Sequence, residues 1–199
     1  MATYSSIRYN MTLSSSTTGG GSLKLISTFT SDGSDATATF ASGIDSTYKE
    51  YIFKFIDIHS QTNEVVLTMN GSTDSGSNYN VTKTTTYYES WHSESGSASG
   101  VSYSTSRDMA QNTGFCDLQS EYGTDNDQAG CGTLHLFNPS STTFTKNFIF
   151  TGNQYHQNDY TQQTRVSGYF NTASAVDAIQ FKMSSGEIQG GVIKMYGVS

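Results

Sequence analysis

Proline is nearly missing from this chain: Pro139 is the only one among 199 residues. Cysteine is almost as scarce, at Cys116 and Cys131. Two cysteines alone do not make a structural zinc site of the usual four-ligand kind. Their spacing permits one disulfide, worth about 3 kcal/mol for a loop of roughly 15 residues. The competing expectation is a pair of reduced thiols in a cytoplasmic product. Charge is sparse too, with 14% Asp, Glu, Lys and Arg and a formal net charge of −7. The ten basic residues are scattered singly, as Arg8, Lys24, Lys49 and Lys54 show. Nucleic acid is therefore not an expected partner, because phosphate binding needs clustered cations. No apolar run approaches the roughly 18 residues of a membrane-spanning helix, so no membrane partner is expected. The start, Met1 to Ser6, is polar and lacks the basic region and apolar core of a secretion signal. The expectation is synthesis in a cytoplasm without a signal peptide, with any extracellular role reached by cell lysis. Runs rich in Ala, Leu, Glu, Lys and Arg are also absent, so long helices have little to form from.

What is abundant points the other way. The hydrophobic fraction is low, at 34%, but 13 Tyr and 11 Phe bring aromatics to 13%. Disordered chains combine low hydrophobicity with high charge and few aromatics. Aromatic residues favour strands and bury large areas, and 19 Gly supply turns. The length suits one β domain that buries roughly 70% of its unfolded surface.

Residues 1–22, ending in Ser14-Ser15-Ser16-Thr17-Thr18-Gly19-Gly20-Gly21-Ser22, read as a flexible N-terminal arm. From Leu23 strand patterns recur at short intervals. They cover 23–29, 36–40, 48–59, 64–70, 79–88, 132–138, 143–150 and 164–170. In the longest, Tyr51, Phe53 and Phe55 share one face, and Ile52, Ile56 and Ile58 the other. A strand apolar on both faces is a central one. Residues 70–78 and 89–106 read as loops, and Asp108 to Gln111 as a short helical turn. Ala178 to Ser184 alternates with Ile179, Phe181 and Met183 inward. With Gly191 to Val198 it has the pattern of a closing hairpin. The whole predicts an all-β fold: one antiparallel β-sandwich over 23–199, jelly-roll-like. No fixed-period repeat is present, which disfavours a propeller or solenoid.

Three segments carry a likeness to known proteins. They are Ile44-Asp45-Ser46-Thr47-Tyr48-Lys49-Glu50-Tyr51-Ile52-Phe53, Gly132-Thr133-Leu134-His135-Leu136-Phe137-Asn138-Pro139, and Ala178 to Gly186 with Ile193-Lys194-Met195-Tyr196-Gly197. Together they resemble small β-rich virion proteins of tailed bacteriophages, particularly cyanophages of marine bacteria. The resemblance implies a structural component on the particle surface, either a capsid decoration protein or a tail-fibre or appendage protein. It implies other virion proteins as partners, a homotrimer as the assembly, and no catalytic motif.

Chemistry in the residues themselves is thin. His59, His92, His135 and His156 form no close-spaced ligand pair, so structural or surface roles are expected and no metal site is assigned. Asp125-Asn126-Asp127 offers oxygen ligands that suit calcium, but the EF-hand spacing is not met and a solvated acidic loop is expected. Asp45, Glu50, Asp57 and Glu64 are the carboxylates from which a glycan-hydrolysing pair would have to come. No nucleophile elbow or phosphate loop is present, so the chain reads as a non-enzyme without cofactors. The candidate recognition residues are Tyr87, Tyr88, Trp91 and His92, beside the Ser/Gly-rich stretch, since exposed aromatics stack on sugars and anchor interfaces. A host-surface glycan is the alternative partner; a Trp91 that simply caps the core is the competing reading.

Overall fold

The computed structural model describes residues 22–199. The expected arm lies outside the described residues apart from Ser22, whose hydroxyl meets that of Ser199 at 2.9 Å. The described chain is all strand and turn. Its strands are β1 (Leu23–Thr30), β2 (Ala38–Phe40), β3 (Glu50–Ser60), β4 (Val65–Ser72), β5 (Lys83–Ser93), β6 (Ser99–Tyr103) and β7 (Met109–Asn112). There follow β8 (Cys116–Tyr122), β9 (Gly130–Phe137), β10 (Lys146–His156), β11 (Tyr160–Phe170), β12 (Ala178–Met183) and β13 (Ile188–Val198). Every ladder between them is antiparallel.

The main path runs β1-β13-β3-β9-β10-β8-β4-β12-β2, and β11 and β5 continue outward from β10. β10 meets β8 at a single residue pair, His156 with Tyr122. There the sheet folds over into a sandwich. The long layer is β1-β13-β3-β9-β10-β11-β5, with β6 and β7 on its far edge; the short layer is β8-β4-β12-β2. Four pairs nest as in one long folded hairpin: β4 with β8, β3 with β9, β2 with β12, and β1 with β13. The folded ribbon then rolls, so that β3 also meets β13 and β4 also meets β12.

Aromatic packing holds the layers together. Phe181 of the short layer sits edge-on to Phe55 at 5.0 Å and to Phe53 at 5.4 Å. Phe40 closes against Phe53 and Phe181. Each buried Phe contributes roughly 1.5–3 kcal/mol by area, and edge-to-face pairs add about 0.5–1.5 kcal/mol. Ile179, Phe181, Met183, Ile193 and Met195 point inward, as their alternation predicts.

Several expectations are corrected. β12 and β13 do not form a hairpin with each other; β12 pairs β4 and β2, and β13 pairs β1 and β3. Alternation specifies a strand's faces but not its partner. The strand at β3 is central, between β13 and β9, but Ile58 does not share the face of Ile52 and Ile56. Asp57 takes φ 51° at a register break between Phe55 and Ile58, and this bulge turns Ile58 into the core. Residues 89–93 and 99–103 are strand, not loop, because they continue ladders with β11 and with each other. Asp108 to Gln111 is no helical turn: Met109 onward is β7, paired to β5. β8 is a strand that its polar sequence did not announce.

A candidate recognition face

Strand alternation decides where the four candidate residues go. On β5, Tyr87 points inward and is fully buried, with its hydroxyl donating to Ser120 Oγ at 3.1 Å. It presents no face to a ligand, which removes it from the recognition set. Trp91 shares that side. It lies half-buried over Gly100, where any Cβ would run into its ring. Tyr88 and His92 point to the outer face of the long layer and are exposed. The four residues are thus split two and two across the sheet.

The outer face carries a trough along β11. Depressions of about 440, 540, 180 and 270 Å³ succeed one another from the Tyr169 end to the Tyr155 end. They share lining residues: Ser167 joins the first two, Ser90 and Gln163 the second and third, and His92, Asn153 and Thr161 the last two. They are therefore one continuous feature. The largest section is lined by Tyr88, Val101 and Arg165, with Ser90, Gln163, Ser167 and Glu89 between them. Tyr88 is 50% exposed and held edge-on by Tyr103 at 5.1 Å. Tyr103 donates its hydroxyl to Asp108 at 2.5 Å, which fixes the pair.

The other half of the same face is more apolar. Leu25, Tyr196, Ile52, His135 and Ile149 stand in register as one row across β1, β13, β3, β9 and β10. Leu23 and Phe137 flank it, and the row ends at β1, whose only ladder partner among the described residues is β13. Leu25 is 51% exposed and Leu23 46%. Beside the row, Glu50 accepts from His135 Nδ1 at 2.5 Å.

The chain matches no protein-family model, no curated protein and no solved structure.

Behind Trp91, at the corner where the layers join, charged side chains gather that no sequence spacing signals. Arg107 donates to Asp117 at 3.2 Å and to Glu121 at 3.1 Å. The other oxygen of Glu121 meets His156 Nε2 at 2.7 Å. Glu89 accepts from Gln162 at 3.1 Å. Burial raises the carboxyl groups of Asp117 and Glu89 above their usual range, and Arg107 pulls both back. Glu121 sits in left-handed backbone at φ 59°. A pocket of about 170 Å³ opens between Glu89, Trp91, Glu121 and His156. Each carboxylate already has a partner, so the cluster ties the connection between β6 and β7 to β8 and β10. The carboxylates considered from sequence are engaged separately. Asp45 accepts from Thr47 and Tyr51, Glu50 binds His135, and Asp57 and Glu64 stand at positive-φ positions.

In the acidic loop, the Asp125 carbonyl meets His59 Nε2 at 3.0 Å and accepts the Gln128 amide at 2.9 Å. Among the described residues no three His, Cys, Asp or Glu side chains come close enough to hold a metal ion. Cys116 is buried and Cys131 exposed, and both are free thiols. Burial pushes the Cys116 thiol up to about 12.

Proposed function

We propose that this protein is a non-enzymatic contact protein of a particle surface, joined to copies of itself through the apolar half of its outer face. The observation that carries this is the registered row Leu25, Tyr196, Ile52, His135 and Ile149, which runs out to β1, the edge strand among the described residues. Ile52 at the centre of the row is itself buried, and the exposed apolar side chains around it are Leu23, Leu25, Ile56 and Ile149; apolar surface of this kind marks interaction sites on soluble proteins. The side of β1 that has no ladder partner among the described residues adds a second means of contact. A second copy is favoured as occupant because the patch and the edge lie side by side, so that the edge of one copy can meet the patch of the next in a closed ring. The setting, a capsid decoration or tail component of a tailed phage, rests on the sequence resemblance.

The nested strand order supports the same reading. We take β1–β4, β8, β9, β12 and β13 as the eight strands of a jelly roll, with β5–β7 and β10–β11 inserted beside it. Capsid and lectin domains use this architecture, although a fold by itself assigns no role.

Light scattering on the full chain tests the proposal. We expect a homo-oligomer, with a trimer as the assembly the resemblance implies. Leu25→Asp is expected to shift it to monomer while circular dichroism stays unchanged. A wild-type chain that remains monomeric at high concentration, or an oligomer that Leu25→Asp leaves intact, would overturn the contact assigned here.

A further inference from the structure

We propose that the trough along β11 binds an extended acidic polysaccharide, at a site centred on Tyr88 and Arg165. This goes beyond the contact reading and uses the other half of the face. Three observations support it.

The first is shape. The linked depressions follow β11 over Thr161 to Tyr169, about 27 Å at the rise of a strand. An open, elongated channel suits a chain-like ligand and not a compact small molecule. Protein hot spots need fully desolvated anchor pockets, and this trough offers none.

The second is side-chain chemistry. Apart from Tyr88, Val101 and Glu89, whose carboxylate is engaged by Gln162, the central section is lined by hydroxyl, amide and guanidinium groups. Sugars present hydroxyls for such groups and an apolar ring face for an aromatic platform. Tyr88 is that platform: half-exposed, and fixed in place by Tyr103.

The third is charge. The chain carries −7 overall, and Glu89 and Glu94 are among the residues lining the trough, yet β9, β10, β11 and β13 contain no Asp or Glu at all. One row across the outer face reads Lys194, Lys54, Thr133, Thr151, Arg165, Tyr88 and Tyr103 in continuous register. Lys54, Lys194 and Arg165 enter no ion pair among the described residues. Arg165 is the trough's own cation, and Lys54 and Lys194 continue its row outside the trough on β3 and β13, so this face of an acidic protein favours an anion. Arg165 stands directly opposite Tyr88, so stacking and charge recognition converge at one point. The guanidinium fork matches the planar oxygens of a carboxylate or a sulfate alike.

The test is affinity electrophoresis of the full chain with polygalacturonate, dextran sulfate and neutral dextran. Binding to at least one polyanion, about tenfold or more above dextran, is expected. Polygalacturonate alone would identify carboxylate as the group read, and dextran sulfate alone sulfate. Tyr88→Ala is expected to weaken binding about tenfold, and Arg165→Gln to abolish the preference over dextran. Leu25→Asp is expected to bind as wild type even where it no longer assembles, which separates this site from the self-contact. No retardation by either polyanion, or retardation unchanged in both Tyr88→Ala and Arg165→Gln, would overturn the proposal.

Discussion

Two lysines show how single residues are made to fit a β core. Lys83 and Lys146 have no exposed surface. Lys146 donates to the carbonyls of Phe144 and Thr172 at 2.9 Å each, tying the loop that enters β10 to the loop that leaves β11 at one end of the pair. Lys83 donates to the Gly114 carbonyl at 2.5 Å and faces the Phe170 ring. Burial of the ammonium lowers the Lys83 pKa from 10.5 to about 8. Above pH 10.5 this side chain is neutral in folded and unfolded chains alike. Between 10.5 and 8 only the unfolded chain takes up the proton, so stability contributed here is lost as pH falls through that window. Relative to Lys83→Met, the wild type is expected to gain about 3 kcal/mol in unfolding free energy from pH 8 to 10.5. Urea titrations of both proteins across that range check it, and a constant difference would refute it. At this scale the sequence was a poor guide to the recognition residues. It marked Tyr87, Tyr88, Trp91 and His92 as a cluster because they are neighbours in the chain. Neighbours on a strand face opposite ways, so only Tyr88 and His92 reach the outer face. Arg165, the cation opposite Tyr88, lies 77 residues away in the chain (165 − 88) and carries no local signal.

At the scale of elements, the bulges in β3 and β13 answer each other. β13 breaks register at Gly190 and Val192, opposite the break at Asp57 in β3. Gly191 holds φ 107°, and a Cβ there would lie 2.6 Å from the Asp57 carbonyl oxygen. Only glycine allows the two backbones this approach. Gly191→Ala is therefore expected to cost more than about 2 kcal/mol, from strain and clash together. Thermal denaturation measures it, and an unchanged midpoint would show that the paired bulges are not constrained as described. Such bulges explain why alternation read along the sequence goes wrong midway through a strand. Tyr51, Phe53 and Phe55 keep their predicted face; Ile58 does not, because one extra residue at Asp57 reverses the parity beyond it. Polar strands were harder still. β6, Ser99–Tyr103, and β7, Met109–Asn112, hold few large apolar side chains and depend on pairing with β5. Their composition is that of a loop, and tertiary pairing overrides it.

Across the whole molecule, the fold class followed from composition, while the connectivity did not. Aromatics, β-branched residues and glycine turns with almost no proline specify an antiparallel sandwich. Which strands meet is set by long-range pairing such as β1 with β13, across the full described chain, and no local pattern encodes it. The consequence for function is a division of the long layer's outer face: an apolar row near the β1 edge, with Lys54 and Lys194 beside it, and a polar, aromatic trough holding Arg165 toward β5. The most direct test of that division is hydroxyl-radical footprinting of the assembled full chain against its Leu25→Asp monomer. Protection is expected at Leu23, Leu25, Tyr196 and Phe137, with Tyr88 and Tyr103 equally reactive in both states. Protection that appeared instead on the short layer, around β4 and β12, with Leu25 and Tyr196 unchanged, would contradict the account.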